Sequence, residues 1–234
     1  MNRIPSTLDR PFLRDAIVEF RFRTTVAEGF LPGIFFERLR DEGWTAPHSS
    51  LGQVINLGFQ VSVGASPVPT LRKDGIKLQL YPDRIDFNIL DAYPGWEAHY
   101  YPLIRRTVET LFVDDSIALV QVGLRFINLL PVPDLFELTD RFVSVPFGKY
   151  QPLNHTVSWQ LKHGAARIII NLTNRVDEGT SSVLDVDIHC SLAEETTRNT
   201  DALAVIDDFH RINKEIVFGY LLPEEFVATF GPRY

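Results

Sequence analysis

The 234-residue sequence contains one cysteine, Cys190, so no disulfide can close within the chain and no Cys-x-x-Cys metal or redox pair exists. No run approaches the roughly 18 apolar residues that a membrane-spanning helix needs. The opening residues, MNRIPSTLDRPF, lack an apolar stretch of signal-peptide length. These absences predict a cytoplasmic protein, and the sequon Asn171-Leu172-Thr173 reads as chance without a secretion signal. A glycine-rich phosphate loop, a Gly-x-Ser-x-Gly elbow and a His-Glu-x-x-His pair are also missing, and no cofactor is expected. Positive charge is in deficit. A net charge of −7 opposes the clustered cations that nucleic acid or an anionic membrane requires.

Hydrophobic residues make up 45% of the chain, and 17 Phe, 7 Tyr and 3 Trp bring enough burial for two packed cores. In Ala16 to Arg23, Ala16, Val18, Phe20 and Phe22 share one face, and Glu19, Arg21 and Arg23 share the other, the period of a half-buried strand. A short helix follows, with Pro32 in its first turn, Leu31, Phe35 and Leu39 on one side and Gly43 as C-terminal cap. Short strands are predicted at 54–58 and 60–64. IKLQLYPDRIDFNIL, residues 76–90, reads as a hairpin turning at Pro82-Asp83. A long helix covers 94–112, with Trp96, Tyr100, Leu103, Thr107, Val108 and Leu111 along one stripe; Pro102 predicts a kink or a late start.

The second half repeats the programme. A strand spans 121–130, and Asp134-x-x-Glu137 resembles a capping box for a helix through Phe142. After a loop at 145–154, strands are predicted at 156–162, 167–172 and 182–190. A helix over 201–218 is capped by Thr200 and ended by Gly219, and the tail adds a helical turn. VEFRF (18–22) and VGLRF (122–126) match at an offset of 104. Residues 85–89 and 184–188 both alternate apolar with Asp or Asn at an offset of 99. Matched order argues for duplication.

The expected fold is therefore α+β, with units 1–113 and 114–234 each running strand, helix, antiparallel meander, long helix. Each unit resembles TATA-binding-protein-like and helix-grip folds. The two sheets are free to join edge to edge into one curved sheet with the long helices on one face.

Asp15 to Phe22, Tyr93-x-Gly95-Trp96-Glu97, Leu124-Arg125-Phe126-Ile127-Asn128, Leu184-Asp185-Val186-Asp187 and Phe209-His210 together resemble a sporadically distributed bacterial family with no assigned activity. The resemblance spans nearly the whole chain. Such a patchy distribution implies mobile, toxin–antitoxin or phage-defence loci, and it carries no catalytic residues across.

Asp185, Asp187 and His189 point to one side of a strand and could offer metal ligands in a row, although neighbouring positions lie about 7 Å apart. The alternative is a structural ladder in which Arg125 pairs with those carboxylates and Arg21 with Asp86 and Asn88. Duplication favours the ladder. His189 and Cys190 face opposite sides of their strand, which makes Cys190 an inert core thiol. Trp96 reads as a core anchor and His210 as a partly buried helix histidine. The leading expectation is a non-enzymatic module that binds a protein partner through Arg21, Arg23, Gln79, Arg125, Asp185, Asp187 and His189. A metal-dependent hydrolase or nuclease built on Asp185, Asp187 and His189, and nucleic-acid binding through the sheet face, are the alternatives.

Overall fold

The computed structural model describes residues 2–46, 68–113, 116–135, 155–176, 180–192 and 199–234. In chain order these form β1 (Thr7–Leu8), β2 (Leu13–Thr24), α1 (Leu31–Leu39), β3 (Thr70–Lys73), β4 (Ile76–Leu80), β5 (Arg84–Ile89), α2 (Tyr101–Leu111) and β6 (Ile117–Leu130). They continue with β7 (His155–His163), β8 (Ala166–Val176), β9 (Ser181–Ser191), α3 (Asn199–Lys214), α4 (Glu224–Ala228) and β10 (Pro232–Arg233). The short strands expected at 54–58 and 60–64, and the helix expected through Phe142, lie outside the described residues.

Eight strands form one antiparallel sheet in the order β3-β4-β5-β2-β6-β9-β8-β7, while β1 and β10 pair separately. The order has internal symmetry. In each half the opening strand pairs with the last strand of its meander, and the two opening strands, β2 and β6, pair with each other at the centre. Joining there leaves one continuous sheet, so neither opening strand has an exposed edge.

The matching pentads face each other across this seam. Val18 stands opposite Leu124, Glu19 opposite Gly123 and Phe20 opposite Val122. An offset of 104 therefore maps the pairing onto itself, with the Glu19–Gly123 pair on the local two-fold axis. The second proposed match needs correction. Asp86 pairs with Glu19 and His189 pairs with Gly123, so Asp86 corresponds to His189, an offset of 103 (189 − 86) rather than 99. An alternating strand looks the same after a shift of two or four residues, and only the pairing fixes its phase.

The alternation sets the two faces. Ala16, Val18, Phe20 and Phe22 are buried with Ile85 and Phe87 from β5, Leu124 from β6 and Leu184, Val186 and Ile188 from β9. Full burial of such side chains contributes about 1.5–3 kcal/mol each. The helices seal this side, and every residue of the predicted stripe from Trp96 to Leu111 is buried. The regular α-helix starts late, at Tyr101 after a π-helical turn, which places Pro102 in the first turn, where its missing N–H costs nothing. Gly43 takes the left-handed cap conformation at φ 80°.

Two expectations change. The halves share one contiguous apolar cluster rather than two cores. The last long helix already includes Asn199, so Thr200 lies inside it and not at its cap. The two helices are tied by Trp96 Nε1 donating to Asp207 Oδ1 at 2.8 Å and Tyr101 OH donating to the Leu203 carbonyl at 3.2 Å. Among the described residues no helix is long and apolar enough to cross a membrane.

Candidate functional site

The other sheet face carries the polar set. Period two puts Ile17, Glu19 and Arg21 of β2 on it, with Arg84 and Asp86 of β5, Gln121, Gly123 and Arg125 of β6 and Asp187 and His189 of β9. All of these except Arg84, together with Leu124, line a depression of about 360 Å³ at the centre of the sheet. Its floor is Gly123. The first half has the Glu19 side chain at the corresponding place, and the second half has none, so the local symmetry is broken where the dent lies. A methyl group would fit at Gly123, with its nearest neighbours, the Cβ atoms of Glu19 and His189 and the Ile188 carbonyl oxygen, all at 3.7 Å. The glycine is therefore not forced by packing.

Arg125 forms the strongest contact on this face. Its Nε donates to Asp185 Oδ1 at 2.9 Å and a terminal nitrogen donates to Oδ2 at 2.8 Å, a two-point pair. Asp187 lies directly across the ladder from Arg125, yet the guanidinium reaches diagonally to Asp185, within the span open to a long side chain. The expected partner is thus found, one row away from the facing position. Asp185 is 7% exposed despite its place on the polar face, and Asn171 Nδ2 approaches the same oxygen at 3.5 Å.

The first half is wired differently from the predicted ladder. Arg21 donates to Glu19, two residues earlier on the same face, at 2.7 Å and reaches Asp83 at 3.4 Å. Asp86 is held by Arg84 at 3.3 Å, and Arg84 also lies 3.4 Å from Glu19 and over the Tyr81 ring. The Asn88 amide donates to Gln79 at 3.4 Å, and neither is bonded to Arg21. Sequence reasoning missed Arg84 because its residue type breaks the apparent Asp/Asn alternation. It placed Glu19 on the polar face without seeing it as the partner of Arg21, and it missed Gly123 because that residue was read only as part of the repeat.

Burial pushes Asp86 above the usual carboxylate range, against the pull of Arg84. It does the same to Asp187, against the pull of His189 and Arg125. One oxygen of Asp86 is buried without a hydrogen-bond partner. Arg21, Arg125, Asp187 and His189 of the sequence-predicted set line the depression. Asp185 sits beside it through Arg125, Gln79 on β4 faces the lining residue Asp86 across the ladder without lining the depression itself, and Arg23 is exposed near the end of β2.

The row Asp185, Asp187, His189 is not arranged as an ion cage. Asp185 spends both oxygens on Arg125, while His189 Nδ1 lies 3.8 Å from Asp187. Among the described residues no group of three His, Cys, Asp or Glu side chains is disposed to share a metal ion. Cys190 is buried on the apolar side, facing away from His189. No protein-family model matches the chain, and no curated protein matches it significantly.

Proposed function

We propose that the chain is a cytoplasmic, non-enzymatic binding module that recognises a protein partner through the polar sheet face, centred on the depression at Gly123. The observation that carries this reading is the mutual pairing of the charged residues around that depression. Arg21 is held by Glu19, Arg84 by Asp86 and Glu19, and Arg125 by Asp185, so the surface is ordered before anything binds. A pre-ordered surface loses less side-chain entropy on association. Its interleaved signs suit a partner presenting both charges and oppose a polyanion. The pair that immobilises Asp185 speaks against the hydrolase alternative, because it removes the first ligand of the proposed row. On the family resemblance, we read the module as the product of a mobile, toxin–antitoxin or phage-defence locus.

The test is affinity co-purification from the native host, comparing the natural protein with Gly123→Trp. The indole fills the depression without altering the core face. A partner retained by the natural protein and lost from a folded Gly123→Trp variant is expected. Equal retention by both would refute this site, and divalent-metal-dependent turnover abolished by Asp187→Ala would refute the non-enzymatic reading.

A further inference from the structure

The two edges of the eight-stranded sheet, β3 and β7, correspond under the local two-fold. They are finished differently. β3 has four residues, follows Pro69, and carries Arg72 and Lys73. Thr45 closes it, exchanging backbone hydrogen bonds with Arg72 at 3.0 and 2.8 Å. Shortness, cations and a covering segment all protect a sheet edge from pairing with another chain. β7 has nine residues, no proline and one lysine, Lys162, near its end. Among the described residues, no backbone-to-backbone hydrogen bond joins β7 to anything but β8.

A two-residue turn, Gly164-Ala165, joins β7 to β8, with Gly164 at φ 58°. Such a turn makes its flanking residues, His163 and Ala166, a hydrogen-bonded pair. Counting back from that pair, Leu161, Trp159 and Val157 turn their N–H and C=O groups toward β8. Lys162, Gln160, Ser158 and Thr156 turn theirs outward. The Thr156 and Thr173 hydroxyls lie 2.9 Å apart, which agrees, because facing side chains stand closest at non-hydrogen-bonded positions. The side chains split by the same parity. Val157, Trp159 and Leu161 extend the buried row Leu172, Ile170 and Ile168 of β8. That extension is half-buried at Val157 and Trp159 and 45% exposed at Leu161. Thr156, Ser158, Gln160 and Lys162 are exposed on the polar face.

We infer that β7 pairs antiparallel with β7 of a second copy of this chain, about a two-fold axis at Trp159. With the axis there, Thr156 faces Lys162 of the second copy, Val157 faces Leu161, Ser158 faces Gln160 and Trp159 faces its own equivalent. Every outward N–H and C=O from Thr156 to Lys162 then finds a mate, and sliding the register by two residues leaves some of them unpaired. Apolar side chains meet apolar ones, and aromatic and aliphatic cross-strand pairs are favourable. No like charges are opposed, since the two Lys162 side chains stand about 20 Å apart at opposite ends of the pairing. This self-complementarity selects a second copy over a foreign strand, and an isologous contact of this kind closes rather than propagating. The chain already uses the same closure internally, where β2 meets β6. β7 is separated by β8 from the strands that line the depression at Gly123, so this inference does not rest on the proposed partner-binding surface.

Sedimentation equilibrium of the natural protein and two double variants tests the inference. One variant carries Ser158→Lys and Gln160→Lys, the other Ser158→Glu and Gln160→Glu. The natural protein should approach twice the chain mass, with Kd on the order of 1–100 µM for so small an interface. Each variant alone opposes like charges and should weaken the dimer at least about tenfold. An equimolar mixture sets lysine against glutamate and should restore it, while Gly123→Trp should leave the mass unchanged. Hydrogen exchange on the natural protein gives a reading that needs no variant: the Ser158 and Gln160 amides should slow as concentration rises, and the Trp159 amide should not. A natural protein that stays monomeric at about 300 µM would overturn the inference and leave the edge to an extended segment of another protein. So would a dimer that persists undiminished in both variants, a mixture of folded variants that stays monomeric, or exchange at Ser158 and Gln160 that ignores concentration.

Discussion

Removing Arg125 should destabilise the protein mainly through what it leaves behind. Asp185 has a side chain 10% exposed, whereas Arg125 is 46% exposed. A Met in place of Arg125 keeps the hydrocarbon stem and deletes both donors, leaving a carboxylate with one distant amide, Asn171 at 3.5 Å. Breaking a fully buried pair costs about 3–5 kcal/mol and breaking an exposed one about 0–1. One partner is near each limit, so about 2 kcal/mol is expected for Arg125→Met. In a chain of this size that lowers Tm by about 4–8 °C. Asp185→Asn alone should cost less, because the freed guanidinium can turn to water. The double variant should recover part of the loss, giving a coupling energy of about 1–2 kcal/mol. Urea titrations of the four proteins at neutral pH, with unchanged m-values, provide the measurement. A coupling below about 0.5 kcal/mol would show that the pair is an ornament of the surface and does not fix it.

Two further outcomes follow from the helical side. Burial, with Lys214 adding repulsion, pushes His210 down to about 3 from an ordinary value near 6.5. Between those limits the unfolded chain binds the extra proton, so stability rises with pH. Going from pH 7 to pH 5 should cost about 2 kcal/mol from this residue. His210→Gln should remove that part of the slope, and an unchanged slope would refute the assignment. Cys190 is 8% exposed and burial raises its thiol pKa. An aromatic disulfide reagent should label it at least about tenfold more slowly in the folded protein than in urea, and equal rates would place the thiol at the surface.

Much of the architecture was legible because period two and period 3.6 are strong signals. β2, the β4–β5 hairpin, β7 to β9 and the α2 stripe all follow from which positions are apolar. The two-residue strands β1 and β10 carry no such signal, and their pairing is set by the return of the chain. The polar face was legible as a face but not as a network. The sequence places Arg125 near Asp185 and Asp187, but only the twist of the ladder decides that it reaches the diagonal one. The phase of the repeat failed for a related reason, since alternation repeats every two residues while pairing has one register. The concavity between the N-terminal arm and the end of α3 was not legible at all, because Tyr93, Phe126 and Asn213, which line it, are far apart in sequence.

The central ladder fits its own copy. Half of this chain, standing alone, would present β2 as an open edge whose best complement is another β2, so it would close as a two-fold homodimer and come apart on dilution. Carrying both halves in one chain makes that closure independent of concentration. It also releases the axis from symmetry. A homodimer would have to put the same side chain on both sides of its axis, but the fused chain can place a glutamate on one side and nothing on the other.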